Sequence, residues 1–140
     1  MNPRTPISKV MTSDLVTVVA ATPLTELAEL FDRHSIEHLP VVAPDRTLVG
    51  IVSQTDLLKV LGKSFAELAE LRARDLMTDR VAVVEPSDTV GVAASLFGLN
   101  RFHALPVVEG RKIVGIVTTL DLIKLIDTEE VELKDYAPLN

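Results

Sequence analysis

Asp56 and Asp121 each lie six residues after the glycine of a Gly-Ile-Val triplet, Gly50-Ile51-Val52 and Gly115-Ile116-Val117. An ionised carboxylate is an acceptor at both oxygens, so one aspartate holds both hydroxyls of a cis-diol such as ribose. Ser53 and Thr55 stand just before Asp56, and Thr118 just before Asp121. Hydroxyls beside the free N–H groups of a helix start suit a phosphate. The same residue types at this spacing also cap a helix and oppose its dipole. The residues alone leave both roles open.

His38 and His103 fall just before two Leu-Pro-Val-Val stretches, offset by one residue between them. A histidine there brings charge that changes near neutral pH. His34 and His38 are four apart, a spacing that chelates a metal on a helix. The segment between them runs toward a strand and no third ligand is evident, so no metal site is expected. No nucleophile stands with a base and an orienting group at a familiar spacing, and no glycine-rich phosphate loop is present. No catalytic residue is assigned, and the chain is expected not to be an enzyme.

These residues are positioned by an internal repeat. Val10-Met11-Thr12 returns as Leu76-Met77-Thr78, and Leu39-Pro40-Val41-Val42 as Leu105-Pro106-Val107-Val108, both 66 positions on. Val49-Gly50-Ile51-Val52 returns as Val114-Gly115-Ile116-Val117 after 65. The missing residue falls in a turn, where deletions are cheapest.

Leu24, Leu27, Ala28 and Phe31, and again Val90, Ala93, Ala94 and Phe97, share one face of a predicted helix. Thr22-Pro23 marks the first helix start as a cap followed by proline at the first helical position. Asp88-Thr89 occupies the second. Leu39–Ala43 with Leu48–Ser53, and Leu105–Glu109 with Ile113–Thr118, read as hairpins. A helix follows each near Asp56 and Asp121, and short strands open each copy at Val16–Val19 and Val81–Val84. The expected organisation is repeat 1 over 1–62, a linking helix over 63–74, repeat 2 over 75–127 and an acidic tail over 128–140. The fold class is α/β (α+β): two βαββα units packed through their sheets with pseudo-two-fold symmetry.

With 47% hydrophobic residues and a net charge of −6, the chain reads as a folded domain rather than a disordered one. The acidic balance argues against general nucleic-acid binding. No apolar run approaches the length of a membrane span, and no secretory signal opens the chain. The absence of cysteine excludes disulfides and thiolate sites. The expected location is cytoplasmic.

On the Met-Thr openings, the helix after Thr22-Pro23, the Leu-Pro-Val-Val strands and the two Gly-Ile-Val…Asp stretches, the chain resembles a pair of cystathionine-β-synthase (CBS) domains, a Bateman module. The likeness runs from about Pro6 to Ile126. It implies clefts between the repeats that bind AMP, ADP, ATP or S-adenosylmethionine as regulatory ligands rather than catalytic cofactors. It also implies a disc-like homodimer that regulates a partner protein.

In similar proteins the motif aspartate holds the ribose, which puts that role on Asp56 and Asp121, with Ser53, Thr55 and Thr118 beside them. Leu120 replaces a hydroxyl such motifs often carry, so the Asp56 site ranks above the Asp121 site. The resemblance also sets His38 and His103 toward the ligand phosphates, with Arg33 and Arg101 as alternatives. An apolar slot for the base is expected from Val16, Ile36, Leu39 and Val52 and their counterparts Val81, Phe102, Leu105 and Val117. The resulting expectation is a stand-alone sensor read by a partner in trans, and its rival is a ligand-independent dimerisation and docking module.

Overall fold

The computed structural model describes residues 1–127; the acidic tail expected over 128–140 lies outside the described residues. The first repeat carries α1 (Leu24–His34), β1 (His38–Val42), β2 (Leu48–Ser53) and a 3-10 helix over Gln54–Val60. α2 (Phe65–Ala69) and α3 (Ala73–Leu76) follow, and then α4 (Val90–Leu99), β3 (Ala104–Glu109), β4 (Lys112–Thr118) and α5 (Thr119–Ile126).

Both expected hairpins form, β1 with β2 and β3 with β4, each antiparallel. Their tips meet: Leu48 N–H donates to the Arg111 carbonyl and Ile113 N–H to the Arg46 carbonyl. The α1 face predicted from spacing buries Leu24, Leu27 and Phe31, although Ala28 stays exposed. α1 begins one residue later than expected. Pro23 is extended and bridges Arg72, so the helix starts at Leu24, while the Thr22 hydroxyl accepts from the Val19 N–H. Thr89 caps α4 through its hydroxyl.

The opening strands shrink to one parallel bridge each, Val18 to Val41 and Val84 to Val107. Val18 N–H donates to the Pro40 carbonyl and Val42 N–H to the Val18 carbonyl. Extending this ladder needs N–H groups at residues 40 and 44, and both are proline. In the second copy the needed donors fall at Pro106 and Pro86, so that ladder also stops at one bridge.

The linking helix is broken into α2 and α3. Leu71 and Arg72 are held against the start of α1, where the Leu71 carbonyl accepts the Leu24 N–H and Arg72 takes an extended conformation. Phe65 projects from α2 into solvent, 92% exposed, whereas Leu68 and Leu71 pack on the first core.

The two cores do not follow the sequence repeats. Ala73 and Leu76, which lead into the second copy, are buried with Leu27, Phe31, Leu39, Val41 and Val52 of the first. Ile7, which leads into the first copy, is fully buried with Val84, Val90, Leu105, Val107 and Val117 of the second. The backbone makes the same exchange: Thr12 pairs with Ile116 on β4, and Thr78 with Ile51 on β2. Each unit is thus closed by the segment that introduces the other, and the matched bridges give the chain its pseudo-two-fold arrangement.

Candidate functional site: two clefts between the repeats

β1 and β3 begin next to the seam between the units. In β1, His38 and Pro40 line a cleft while Leu39 between them is fully buried in the core, as strand alternation requires. Leu105 is likewise fully buried, together with Val52 and Val117. Leu39 and Leu105 therefore support the wall from behind and do not face the seam.

The first cleft has a volume of about 300 Å³. Its first-repeat side presents Thr12, Asp14, Val16, Ile36, Glu37 and His38. Its second-repeat side presents His103, Ile116, Thr118 and Leu120. The second cleft, about 380 Å³, is the counterpart. Thr78, Arg80, Val81, Arg101, Phe102 and His103 of the second repeat face His38, Ile51, Ser53 and Thr55 of the first. Each cleft thus combines the opening segment and strand start of one repeat with the hydroxyl motif of the other.

His38 and His103 line both clefts and stand together at the seam. Burial holds the His38 imidazole below the usual histidine range; Glu37 and Asp56 pull it back up, and His103 pushes it further down. Phe102 packs edge-on to Phe97, which fixes its ring beside the second cleft.

The motif aspartates act as caps. The Asp56 carboxylate accepts the Ser53 N–H at 2.7 Å through Oδ2, and its Oδ1 lies 2.7 Å from Lys59 Nζ. Asp121 Oδ2 accepts the Thr118 N–H at 2.8 Å. Neither carboxylate lines a cleft, although each is held beside residues that do. In the first copy the Ser53 and Thr55 hydroxyls bond each other at 2.9 Å within the second cleft. In the second copy Leu120 replaces the second hydroxyl, and the Thr118 hydroxyl accepts the Asp121 N–H.

Arg33 pairs with Glu29 away from both clefts, whereas Arg101 lines the second. His34 ends α1 and lines neither cleft. The clefts add Asp14, Glu37, Thr12, Thr78 and Arg80 to the expected set. Thr12 and Thr78 were visible as the repeated Met-Thr pair, whose placement at the opposite repeat requires the exchange of opening segments.

The CBS-domain family model matches residues 7–63 and 73–128. The chain belongs to the CBS-domain family. Among solved structures, the CBS domain pair of MJ0100, in complex with 5′-methylthioadenosine and S-adenosyl-L-methionine, superposes with a TM-score of 0.79 at 27% identity. That match covers 89% of this chain and 97% of the other. CBSX2 of Arabidopsis thaliana, solved in complex with AMP, gives 0.77 at 30% identity over 87% of this chain and 96% of that one.

A homoserine O-acetyltransferase of Methanocorpusculum labreanum is 34% identical over 123 residues, which is 86% of this chain. This chain spans only 24% of that protein's length, and the same share of the similar homoserine O-acetyltransferases of Methanohalobium evestigatum and Methanosalsum zhilinae. Their enzyme names therefore describe proteins about four times the length of the matched segment. Among the described residues, no helix is long and apolar enough to cross a membrane.

Proposed function

We propose that this CBS pair is a regulatory module that binds an adenine nucleotide or adenosyl compound in the clefts between its repeats and signals its occupancy to a partner protein. The observation that carries this reading is the build of the clefts. Each takes its walls from both repeats, so a ligand that fits bridges the two units. Such a ligand favours whichever relative placement it contacts better, and only that difference shifts the equilibrium.

Asp56 and Asp121 are proposed ribose acceptors. A carboxylate has about four lone-pair sites, so each keeps its cap while accepting sugar hydroxyls. Ser53 and Thr55, with His38, His103 and Arg101, are proposed partners for the phosphate end in the second cleft, and Thr118 is a proposed hydroxyl contact to the ligand in the first. Val16, Ile36, Val81 and Phe102 are proposed to hold the base.

A homodimer belongs to the same proposal. Leu58 and Leu61 in the first repeat, and their counterparts Ile123 and Ile126 in the second, are all more than half exposed. Apolar side chains presented at equivalent positions suit an interface shared with a second copy.

Calorimetric titration with AMP, ADP, ATP and S-adenosylmethionine tests the reading. Saturable binding by at least one is expected, with thermal stabilisation by about 2.7 kcal/mol at a hundredfold excess over Kd. No heat and no stabilisation at millimolar concentrations of any of them leaves the ligand-independent docking module.

A further inference from the structure

The pseudo-symmetry relates Asp14 to Arg80, Ser35 to Arg101 and Glu37 to His103, each pair 66 residues apart. The first member of every pair lines the first cleft, and the second member lines the second cleft. At three equivalent places the chain therefore exchanges an acidic or neutral group for a basic one. His103 also reaches the first cleft, and His38 reaches both, so the histidines do not create the difference. It lies in Asp14 and Glu37 against Arg80 and Arg101. The first cleft has no lysine or arginine in its wall, and the second has no aspartate or glutamate.

Hydroxyls line both walls, Ser53, Thr55 and Thr78 in the second cleft and Thr12, Thr118 and Thr119 in the first, so the charged side chains carry the difference. Arginine and hydroxyl groups together form a phosphate-binding set. Two carboxylates beside an apolar side chain repel a phosphate and accept a neutral or positively charged group.

Building on the proposed adenine-ligand function, we infer that the two clefts select ligands by charge. The second cleft takes the phosphate-bearing nucleotide, and the first takes an adenosyl compound without phosphate, uncharged or cationic at its 5′ end. The two sites then report on two metabolite classes at once. The shared histidines at the seam give each ligand an electrostatic view of the other.

The test is calorimetry at low salt with three probes that share adenosine: AMP, 5′-methylthioadenosine and S-adenosylmethionine. The wild-type chain is expected to bind one AMP tightly and to bind methylthioadenosine or S-adenosylmethionine still when AMP is saturating. Exchanging the second-cleft arginines for their first-cleft counterparts, Arg80→Asp with Arg101→Ser, should weaken AMP by about tenfold or more, the scale of a lost charge-assisted contact. Affinity for the phosphate-free probes at the first cleft should stay unchanged. The reverse exchange, Asp14→Arg with Ser35→Arg, should raise AMP stoichiometry toward two. All four positions are exposed, and circular dichroism checks that each variant folds. Two equal AMP sites in the wild type, or equal weakening of all probes by the arginine exchange, overturns charge selection while leaving adenine-ligand binding intact. Failure of every probe to bind overturns both.

Discussion

Gly50 and Met77 meet across the two repeats: a β-carbon at Gly50 would lie 2.7 Å from the Met77 sulfur and 2.9 Å from the Thr78 carbonyl. Gly115 stands in the same relation to Met11 and Thr12. The Met-Thr pair and the Gly-Ile-Val triplet are therefore two halves of one contact. The glycine leaves room for the methionine, and the threonine backbone then joins the strand edge. Gly50→Ala is expected to destabilise the fold by about 1–3 kcal/mol through overpacking, even though its backbone conformation admits alanine. Urea denaturation measures this directly, and an unchanged midpoint would show that Met77 moves aside freely.

The exchange of opening segments makes an unusual demand on the N-terminus. Ile7 is fully buried in the second core although it opens the first repeat. Ile7→Ala is expected to cost about 2–5 kcal/mol. Amide exchange should accelerate first in β3 and β4, which share its core, with β1 and β2 affected less. Faster exchange confined to the first repeat would contradict the assignment of Ile7 to the second core.

Acidification should weaken the fold through His38. Burial holds its pKa below the ordinary value of 6.5. Between the folded and unfolded values the unfolded chain binds more protons, so stability falls as pH drops below about 6.5. Glu37 and Asp56 oppose the shift and His103 adds to it, so the net effect is modest. A series of melting temperatures from pH 8 to pH 5.5 should show a decline that His38→Gln flattens. An identical slope in the variant would place the decline elsewhere.

Asp56 joins stability to ligand binding. Asp56→Ala removes the acceptor for the Ser53 N–H and should cost about 0.5–2 kcal/mol, the range for a lost helix cap. It should also abolish nucleotide-induced stabilisation at the second cleft. Asp56→Asn, which keeps an acceptor, should recover most of the first effect and little of the second. Full ligand-induced stabilisation in Asp56→Ala would reduce this residue to a cap.

The duplication, both hairpins and the buried face of α1 were legible in the sequence because each is a local pattern. The opening strands at Val16–Val19 and Val81–Val84 were read too long because β-branched runs signal strands. What limits them is the missing N–H of Pro40, Pro44, Pro86 and Pro106, which matters only once the pairing partner is known. The swapped segments left no local trace, since Ile7 and Ala73 look alike whichever core they enter. Leu39 and Leu105 were expected in the slot because they neighbour cleft residues, but strand alternation turns them inward. The reversal from Asp14 to Arg80 was open to a residue-by-residue comparison of the copies. It carries meaning only after the structure sets both residues at equivalent clefts.

Crystals of the chain grown with AMP provide the most direct measurement. Nucleotide density is expected between the repeats, with phosphate toward Arg101 and Arg80 and ribose within hydrogen-bond distance of Asp56. Density outside the seam, or empty clefts at AMP concentrations that saturate the protein in solution, would contradict this placement.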